Sequence, residues 1–148
     1  MKTFTLMIIL FIWVFGISSV LVNADAFDWP RWRGPNGDGI SMEADWDPEA
    51  LAGGPKIVWK VDIGMGHSNV AIKDNRLYTM GLGGVYCFDA DTGEEIWLYS
   101  LDSAADTLAT PTTDGKFVYA LDKDGILMCL KTKNGKLRWE KDLVSEFY

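Results

Sequence analysis

The sequence is poor in basic charge, in cysteine and in histidine. Its 148 residues include 14 Lys and Arg against 21 Asp and Glu, two cysteines and one histidine, for a formal net charge of −7. Such an acidic chain repels phosphates, which argues against nonspecific binding to nucleic acid or to anionic membranes. No 12-residue stretch after the N-terminal segment has a clean helical period, so helices should be rare. No complete catalytic site is evident in the sequence.

The N-terminal 24 residues have the pattern of an export signal. Lys2 gives a positive end, residues 6–17 form an apolar run, and residues 22–24 provide the small residues that a signal peptidase recognises. We expect cleavage after Ala24, or otherwise after Ala26, and a periplasmic or secreted mature protein with no membrane span. The alternative is an uncleaved anchor, since residues 4–22 are almost long enough to cross a bilayer. No cysteine lies near the cleavage site, so a lipid anchor is not indicated.

Apolar and aromatic residues are abundant, at 48% and 13% of the chain, and they are arranged in a repeat. Residues 84–97 resemble residues 126–139. Cys87, Gly93 and Trp97 of the first segment each recur 42 residues later in the second. A weaker third copy survives at residues 56–61, where Trp59 precedes Trp97 by nearly the same interval. A period of about 40 residues is typical of one four-stranded blade of a propeller.

The turn residues within each repeat favour short strands. Gly83-Gly84 and residues 122–125 would join the second strand to the third, because Gly and Asn accept the positive φ of tight hairpins. Upstream, residues 76–80 align with residues 116–120, each just after a turn. Several runs between the turns are apolar at consecutive positions, as expected for sheets covered on both faces. The predicted fold class is all-β, a partial β-propeller of four-stranded antiparallel blades.

On these residues the sequence resembles the PQQ-like (quinoprotein-type) β-propeller repeat family, as an N-terminal fragment of a secreted member. Repeats of that family have a tryptophan-docking pattern, Ala-x-Asp-x-x-Thr-Gly-x-x-x-Trp, whose tryptophan joins one blade to the next. The first repeat fills the pattern, with cysteine in place of alanine, at Cys87, Asp89, Thr92, Gly93 and Trp97. The second repeat fits more loosely, with Cys129, Lys131, Asn134, Gly135 and Trp139 at those positions, and Trp59 ends the weaker copy.

The resemblance places both cysteines where the family has a small alanine, which is a packing position. We therefore expect buried thiols, since free cysteine behaves as a small hydrophobe. A disulfide between Cys87 and Cys129 is the alternative that an exported protein suggests. It would have to cross from one blade to the same place in the next, which disulfide geometry disfavours.

The predicted organisation is a signal peptide at residues 1–24, an irregular lead-in at residues 25–55 and propeller repeats at residues 56–148. The repeats comprise an outer strand around Trp59 and two blades, and residues 144–148 fall where the first strand of a further blade should begin. Two blades cannot close a ring, and their end faces would expose wide apolar sheet. We expect a truncated chain whose ring is completed by missing C-terminal blades or by other propeller chains.

Weak candidates for a ligand site lie between an outer strand and the next inner one, where propellers bind ligands. They are His67, Ser68 and Asn69. A histidine acting as a general base would need a nucleophile and an orienting carboxylate nearby, so we favour a loop histidine that packs or is solvated.

Two further clusters have structural explanations that we favour. Asp89, Asp91, Glu94 and Glu95 lack the spacing of a calcium loop and are explained by a hairpin. In the lead-in, flat side chains could stack on a sugar or a quinone, but such a segment more often covers the end of a propeller channel or seals a blade junction. These lead-in side chains are Trp29, Arg31, Trp32 and Arg33.

Two functions follow from the resemblance. We favour an exported, non-catalytic propeller module that acts in binding or assembly and has no cofactor. Its ligand would be a protein or a small molecule. A member of the family that helps insert outer-membrane β-barrels is the example. The alternative is a fragment of a PQQ- and calcium-dependent alcohol dehydrogenase. Such enzymes have adjacent cysteines that form a small disulfide ring and a Glu-Asn-Asp set for calcium and base. This sequence has no adjacent cysteines, and none of its residues can be mapped onto that set.

Overall fold

The structure is a computed structural model that describes residues 28–44, 47–101 and 109–147. The predicted signal peptide, residues 1–24, lies outside the described residues. No helix among the residues described is both long and apolar enough to cross a membrane.

The first four strands form one antiparallel sheet, which we call blade 1. They are β1 (Ala71–Lys73), β2 (Arg76–Gly81), β3 (Gly84–Asp89) and β4 (Glu95–Ser100), and they lie side by side in chain order. Tight turns permit this order, because glycine accepts the positive φ that such turns require. Gly83, in the turn between β2 and β3, has φ 100°.

The next four strands form a second antiparallel sheet, blade 2, with the same topology. They are β5 (Thr112–Thr113), β6 (Phe117–Leu121), β7 (Ile126–Lys131) and β8 (Leu137–Asp142), again in chain order. A one-turn helix, α1 (Leu143–Phe147), follows. Two consecutive four-stranded meanders confirm the predicted all-β class and the partial propeller.

Strand register corrects one detail of the predicted repeat. Tyr78 lies opposite Cys87 in blade 1, and Tyr119 lies opposite Cys129 in blade 2. Tyr78 is therefore equivalent to Tyr119, whereas the predicted alignment paired it with Val118. The alignment of residues 76–80 with residues 116–120 was one residue out of register, because both segments are apolar at consecutive positions and alternation does not fix their phase.

The core lies between the two sheets. Its side chains are apolar, and most are almost completely buried. They come from both blades: Tyr78, Met80, Val85, Cys87 and Trp97 from blade 1, and Val118, Ala120, Met128 and Leu130 from blade 2. Each sheet therefore uses its neighbour to cover one of its faces.

Two predicted strands differ in the structure. Residues 56–61, the predicted outer strand, form no strand with any part of the chain that the structure describes, because a strand needs a hydrogen-bonded neighbour and the described residues offer it none. Residues 144–147, predicted to begin a strand, belong to α1. The Asp142 carboxylate caps that helix, since its Oδ1 accepts from the backbone N–H groups of Val144 and Ser145, each at 3.0 Å.

The lead-in connects the inner edges of the blades. Trp29 and Ile72 of β1 exchange two backbone hydrogen bonds of 2.8 Å, and Pro30 O accepts from Thr113 N of β5, also at 2.8 Å. The Asp28 carboxylate pairs with Lys73 Nζ at 2.7 Å. The described residues of the lead-in form no extended strand, but they connect β1 to β5 through backbone hydrogen bonds. Its C-terminal part contains a short 3-10 helix, Pro48–Leu51.

Candidate functional site

Trp97 of β4 joins blade 1 to blade 2. Its side chain is only 7% exposed, and its Nε1 donates to the backbone oxygen of Thr132 at 2.8 Å. The ring lies against Gly135, where an added β-carbon would be 2.7 Å from Trp97 Cε3. Gly135 also has φ 67°, which side-chain-bearing residues rarely adopt. Glycine is thus required at this contact both by the close approach and by the backbone.

Trp59 makes the equivalent contact with blade 1. Its Nε1 donates to the backbone oxygen of Ala90 at 3.0 Å. A β-carbon on Gly93, which has φ 73°, would lie 2.6 Å from the Trp59 ring. Each of the two hairpins therefore receives the tryptophan of the preceding repeat.

Trp139 is the third tryptophan of the series and lies opposite Cys129, as Trp97 lies opposite Cys87. Its ring is 6.2 Å from that of Tyr119, much as Trp97 is 5.9 Å from Tyr78. Trp139 is nevertheless 40% exposed. Trp97 of blade 1 is covered by the hairpin of blade 2, whereas the equivalent Trp139 of blade 2 has no such cover among the described residues.

Asp89 organises the hairpin between β3 and β4. Its Oδ1 accepts from Asp91 N at 3.1 Å and from both N and Oγ1 of Thr92 at 2.9 Å. The hydrogen bond from the Thr92 backbone N–H is the largest cause that lowers the pKa of the Asp89 carboxyl from its ordinary value. The carboxylate thus serves the turn, and the hairpin accounts for its position without a bound metal.

Both cysteines are buried, and neither forms a disulfide. Burial raises the pKa of the Cys87 thiol to about 12, and burial also raises the pKa of the Cys129 thiol. Each lies at the centre of its sheet, opposite a tryptophan. Neutral thiols in such positions act as small packing groups.

The three loop residues predicted to face a ligand lie just before β1. Ser68 Oγ donates to Asn69 O at 2.7 Å, and Asn69 N donates to Thr110 Oγ1 at 3.2 Å. His67 is exposed. Ser68 and Asn69 therefore help to hold the loop and its contact with residue 110, and a ligand role for the three remains a prediction.

The aromatic and basic side chains of the lead-in are divided between packing and solvent. The Trp29 ring lies on Gly34, where a β-carbon would be 2.7 Å from it, and Arg31 Nε donates to Gly34 O at 3.3 Å. Trp32 is 61% exposed, with the Arg33 guanidinium 5.7 Å from its ring centre. Arg31, Trp32 and Arg33 are all exposed, whereas Trp29 is half-buried.

Arg76 contributes to the blade junction, and the sequence pattern did not single it out. Its Nη1 donates to the Thr132 backbone oxygen at 2.6 Å, the same oxygen that accepts from Trp97 Nε1. Because the acceptor is a backbone carbonyl, no side-chain pattern reveals this contact. The sequence did offer one signal, the position of the acceptor in the repeat. Thr132 is the residue of blade 2 that corresponds to Ala90 of blade 1, whose backbone oxygen accepts from Trp59 Nε1.

Comparisons with known proteins agree with this architecture. The family model for outer membrane protein assembly factor BamB matches residues 50–147. No curated protein matches the chain at a significant level.

Solved structures of propellers resemble the chain over short parts of their length. The quinohemoprotein alcohol dehydrogenase from Comamonas testosteroni superposes with a TM-score of 0.66 over 82% of this chain and 20% of that one, at 20% identity. BamB from Moraxella catarrhalis has a TM-score of 0.45 and 24% identity, over 51% and 23%. A quinohemoprotein alcohol dehydrogenase from Pseudomonas putida HK5 has a TM-score of 0.49 and 25% identity, over 57% and 14%.

The chain therefore spans less than a quarter of the length of these three solved structures. The Comamonas likeness shows the fold of the two sheets, which are consecutive propeller blades. The family match covers well over half of the chain, in the part that contains both blades and Trp59. The chain belongs to the PQQ-like repeat family represented by outer membrane protein assembly factor BamB.

Proposed function

We propose that this protein is an exported, non-catalytic propeller module that acts in binding or assembly. The observation that carries the proposal is the series of tryptophan–glycine contacts, in which a hairpin of each blade receives the tryptophan of the preceding repeat. Trp, which buries a large flat area while needing one hydrogen-bond partner, suits such a contact. The repeated element of this chain is thus a contact surface rather than a set of reactive groups.

Trp139 supports the assembly role. It occupies in blade 2 the position of Trp97 in blade 1, but 40% of it is exposed. A further blade that offered a glycine and a backbone carbonyl would cover it in the same way. The proposed partners are missing C-terminal blades or other propeller chains, with a protein or small molecule as the ligand of the completed ring.

Export is part of the proposal and rests on the sequence of residues 1–24. We assign the mature protein to the periplasm or to the exterior, with no cofactor. The name of the family includes an assembly factor of the outer membrane, and an assembly role for this chain is consistent with that name.

The mass of the native mature protein from its source tests the assembly. We expect a mass several times that of residues 25–148, either as one longer chain or as several associated chains. Chemical denaturation of the samples separates the two forms, since only associated chains then show the smaller mass. A monomer of residues 25–148 that melted in one sharp, cooperative transition would refute the proposal.

The alternative function, a dehydrogenase that uses PQQ and calcium, is tested on the same native protein. We expect added PQQ with calcium to leave the quinone absorbance unchanged and to support no dye-linked alcohol oxidation. Calcium alone and PQQ alone serve as controls. Saturable binding near one PQQ per propeller, together with dye reduction on adding alcohol, would replace the non-catalytic proposal with the dehydrogenase.

A further inference from the structure

A cationic cleft lies between the two blades, at the end of β1 opposite to the loop of residues 67–69. It has a volume of about 800 Å³ and is open to solvent. Its walls are the turn after β1, the turn after β5 and the hairpin between β7 and β8. Five cationic and two acidic side chains line it, a net charge of +3 in a chain whose formal charge is −7. The charge of the cleft is thus opposite to that of the protein.

Three of the cations have no ion-pair partner within the described part of the chain. They are Lys131, Lys133 and Arg138. Arg138 falls at an irregularity of the β7–β8 pairing, where the register shifts between Cys129 and Leu130. Such bulges turn a side chain away from its regular position, and Arg138 lines the cleft. The positive charge is therefore available to a ligand.

The Asp114 carboxylate is counted in that net charge, but its oxygens accept hydrogen bonds from nearby residues of its own turn and strand, and it forms no ion pair with these cations among the described residues. Oδ1 accepts from Lys116 N at 2.8 Å and from Phe117 N at 2.7 Å, and Oδ2 accepts from Tyr119 OH at 3.1 Å. Burial tends to raise the pKa of this carboxyl, but the hydrogen bonds outweigh it and the pKa is lowered. Asp74, the second acid, follows Lys73 in the sequence, and Lys73 forms an ion pair with Asp28 at 2.7 Å.

We propose that this cleft binds a small multivalent oxyanion, a molecule that carries two or more phosphate or carboxylate groups. The volume is in the range of small-molecule sites, about 300–1,000 Å³. Lysine and arginine side chains bind such groups through charge-assisted hydrogen bonds. A long polyanion fits poorly, since the equivalent hairpin of blade 1 carries Asp89, Asp91 and two glutamates. The inference does not depend on the proposed function.

Titration calorimetry of the full chain, at constant ionic strength, tests the cleft with inorganic pyrophosphate and with citrate. We expect saturable binding of at least one of them to a single site. Tighter binding of pyrophosphate would assign the cleft to phosphate groups, and tighter binding of citrate would assign it to carboxylates. Saturable binding of neither would overturn the proposal.

Lys133→Glu should weaken that binding about tenfold, because it reverses one charge in the cleft. The matched control is Lys123→Glu in the turn between β6 and β7, at the other end of blade 2, which makes the same charge change and should leave Kd within about twofold. Circular dichroism checks that each variant is folded, and Arg138→Gln replaces Lys133→Glu if the latter does not fold. Equal effects of the cleft and control variants, or no effect of the cleft variant, would contradict the site.

Discussion

The hairpins of the two blades occupy the same place and carry opposite charge. Both present a glycine at positive φ to a tryptophan ring and a carbonyl to its Nε1. In blade 1 the charged side chains are Asp89, Asp91, Glu94 and Glu95, and in blade 2 they are Lys131, Lys133, Lys136 and Arg138. The tryptophan contact therefore constrains the backbone and the glycine, while the outward charge is free to differ.

The two hairpins are also stabilised differently. In blade 1 the Asp89 carboxylate accepts three hydrogen bonds from its own turn. Lys131 occupies that position in blade 2, and its side chain cannot accept hydrogen bonds. Thr132 stabilises the blade 2 hairpin instead. Thr132 Oγ1 donates toward Gly115 O and Lys116 O, both at 3.1 Å, and so fixes the hairpin to the neighbouring turn. The blade 2 hairpin keeps one internal side-chain hydrogen bond, from Lys136 N to Asn134 Oδ1 at 3.2 Å, and is in addition attached to the neighbouring turn through Thr132.

The largest expected effect concerns the feature that the two hairpins share. Gly135→Ala should lower the free energy of unfolding by about 2–5 kcal/mol, since alanine is strained at positive φ and its β-carbon would overlap the buried Trp97 ring. Gly93→Ala should cost less, because Trp59 is only half-buried and can move. Denaturant unfolding at one fixed protein concentration, followed by tryptophan fluorescence, measures both.

Gly37→Ala is the control for backbone strain alone. Gly37 has φ 72°, close to that of Gly135, but no atom lies within 4 Å of an added β-carbon. We expect a loss of about 1–2 kcal/mol at most. If Gly135→Ala cost no more than Gly37→Ala, the tryptophan contact would not be what fixes the glycine.

The fold could be predicted largely from the sequence because its signals are local. The turn glycines mark single hairpins, and Trp97 and Trp139 each mark the last strand of one repeat. The predicted outer strand around Trp59 is not formed with the described residues, since a strand needs a hydrogen-bonded neighbour and a sequence pattern does not supply one. α1 was missed because five residues are too few to show a helical period.

The site was less predictable because its contacts join residues far apart in sequence. Arg76 donates to a carbonyl 56 residues away, and a backbone oxygen leaves no mark on the sequence. The cleft collects cations from three turns that lie apart in the chain. The opposite charges of the two hairpins can be read from the sequence. The cleft cannot, because its walls are turns of both blades that only the fold brings together.

The smallest expected effect concerns the difference between the hairpins. Folding lowers the pKa of Asp89 below its ordinary value of 3.8, chiefly through the Thr92 backbone N–H. The stabilisation that this carboxylate contributes is therefore present above pH 3.8 and is lost as the pH falls through the lower, folded pKa. Asp89→Ala should slightly lower stability at neutral pH and reduce the loss below about pH 4.

Lys131→Ala is the matched control, since it removes the side chain at the same position of blade 2 and no carboxylate. Urea midpoints of the wild type and both variants between pH 7 and pH 2.5 measure the comparison. We expect Lys131→Ala to run parallel to the wild type, and Asp89→Ala to converge on it as the pH falls. Some acid sensitivity will remain in Asp89→Ala, because the pKa values of Asp114 and Asp142 are also lowered. Curves for Asp89→Ala and the wild type that stayed equally far apart at every pH would mean that Asp89 acts through its shape and not through its charge.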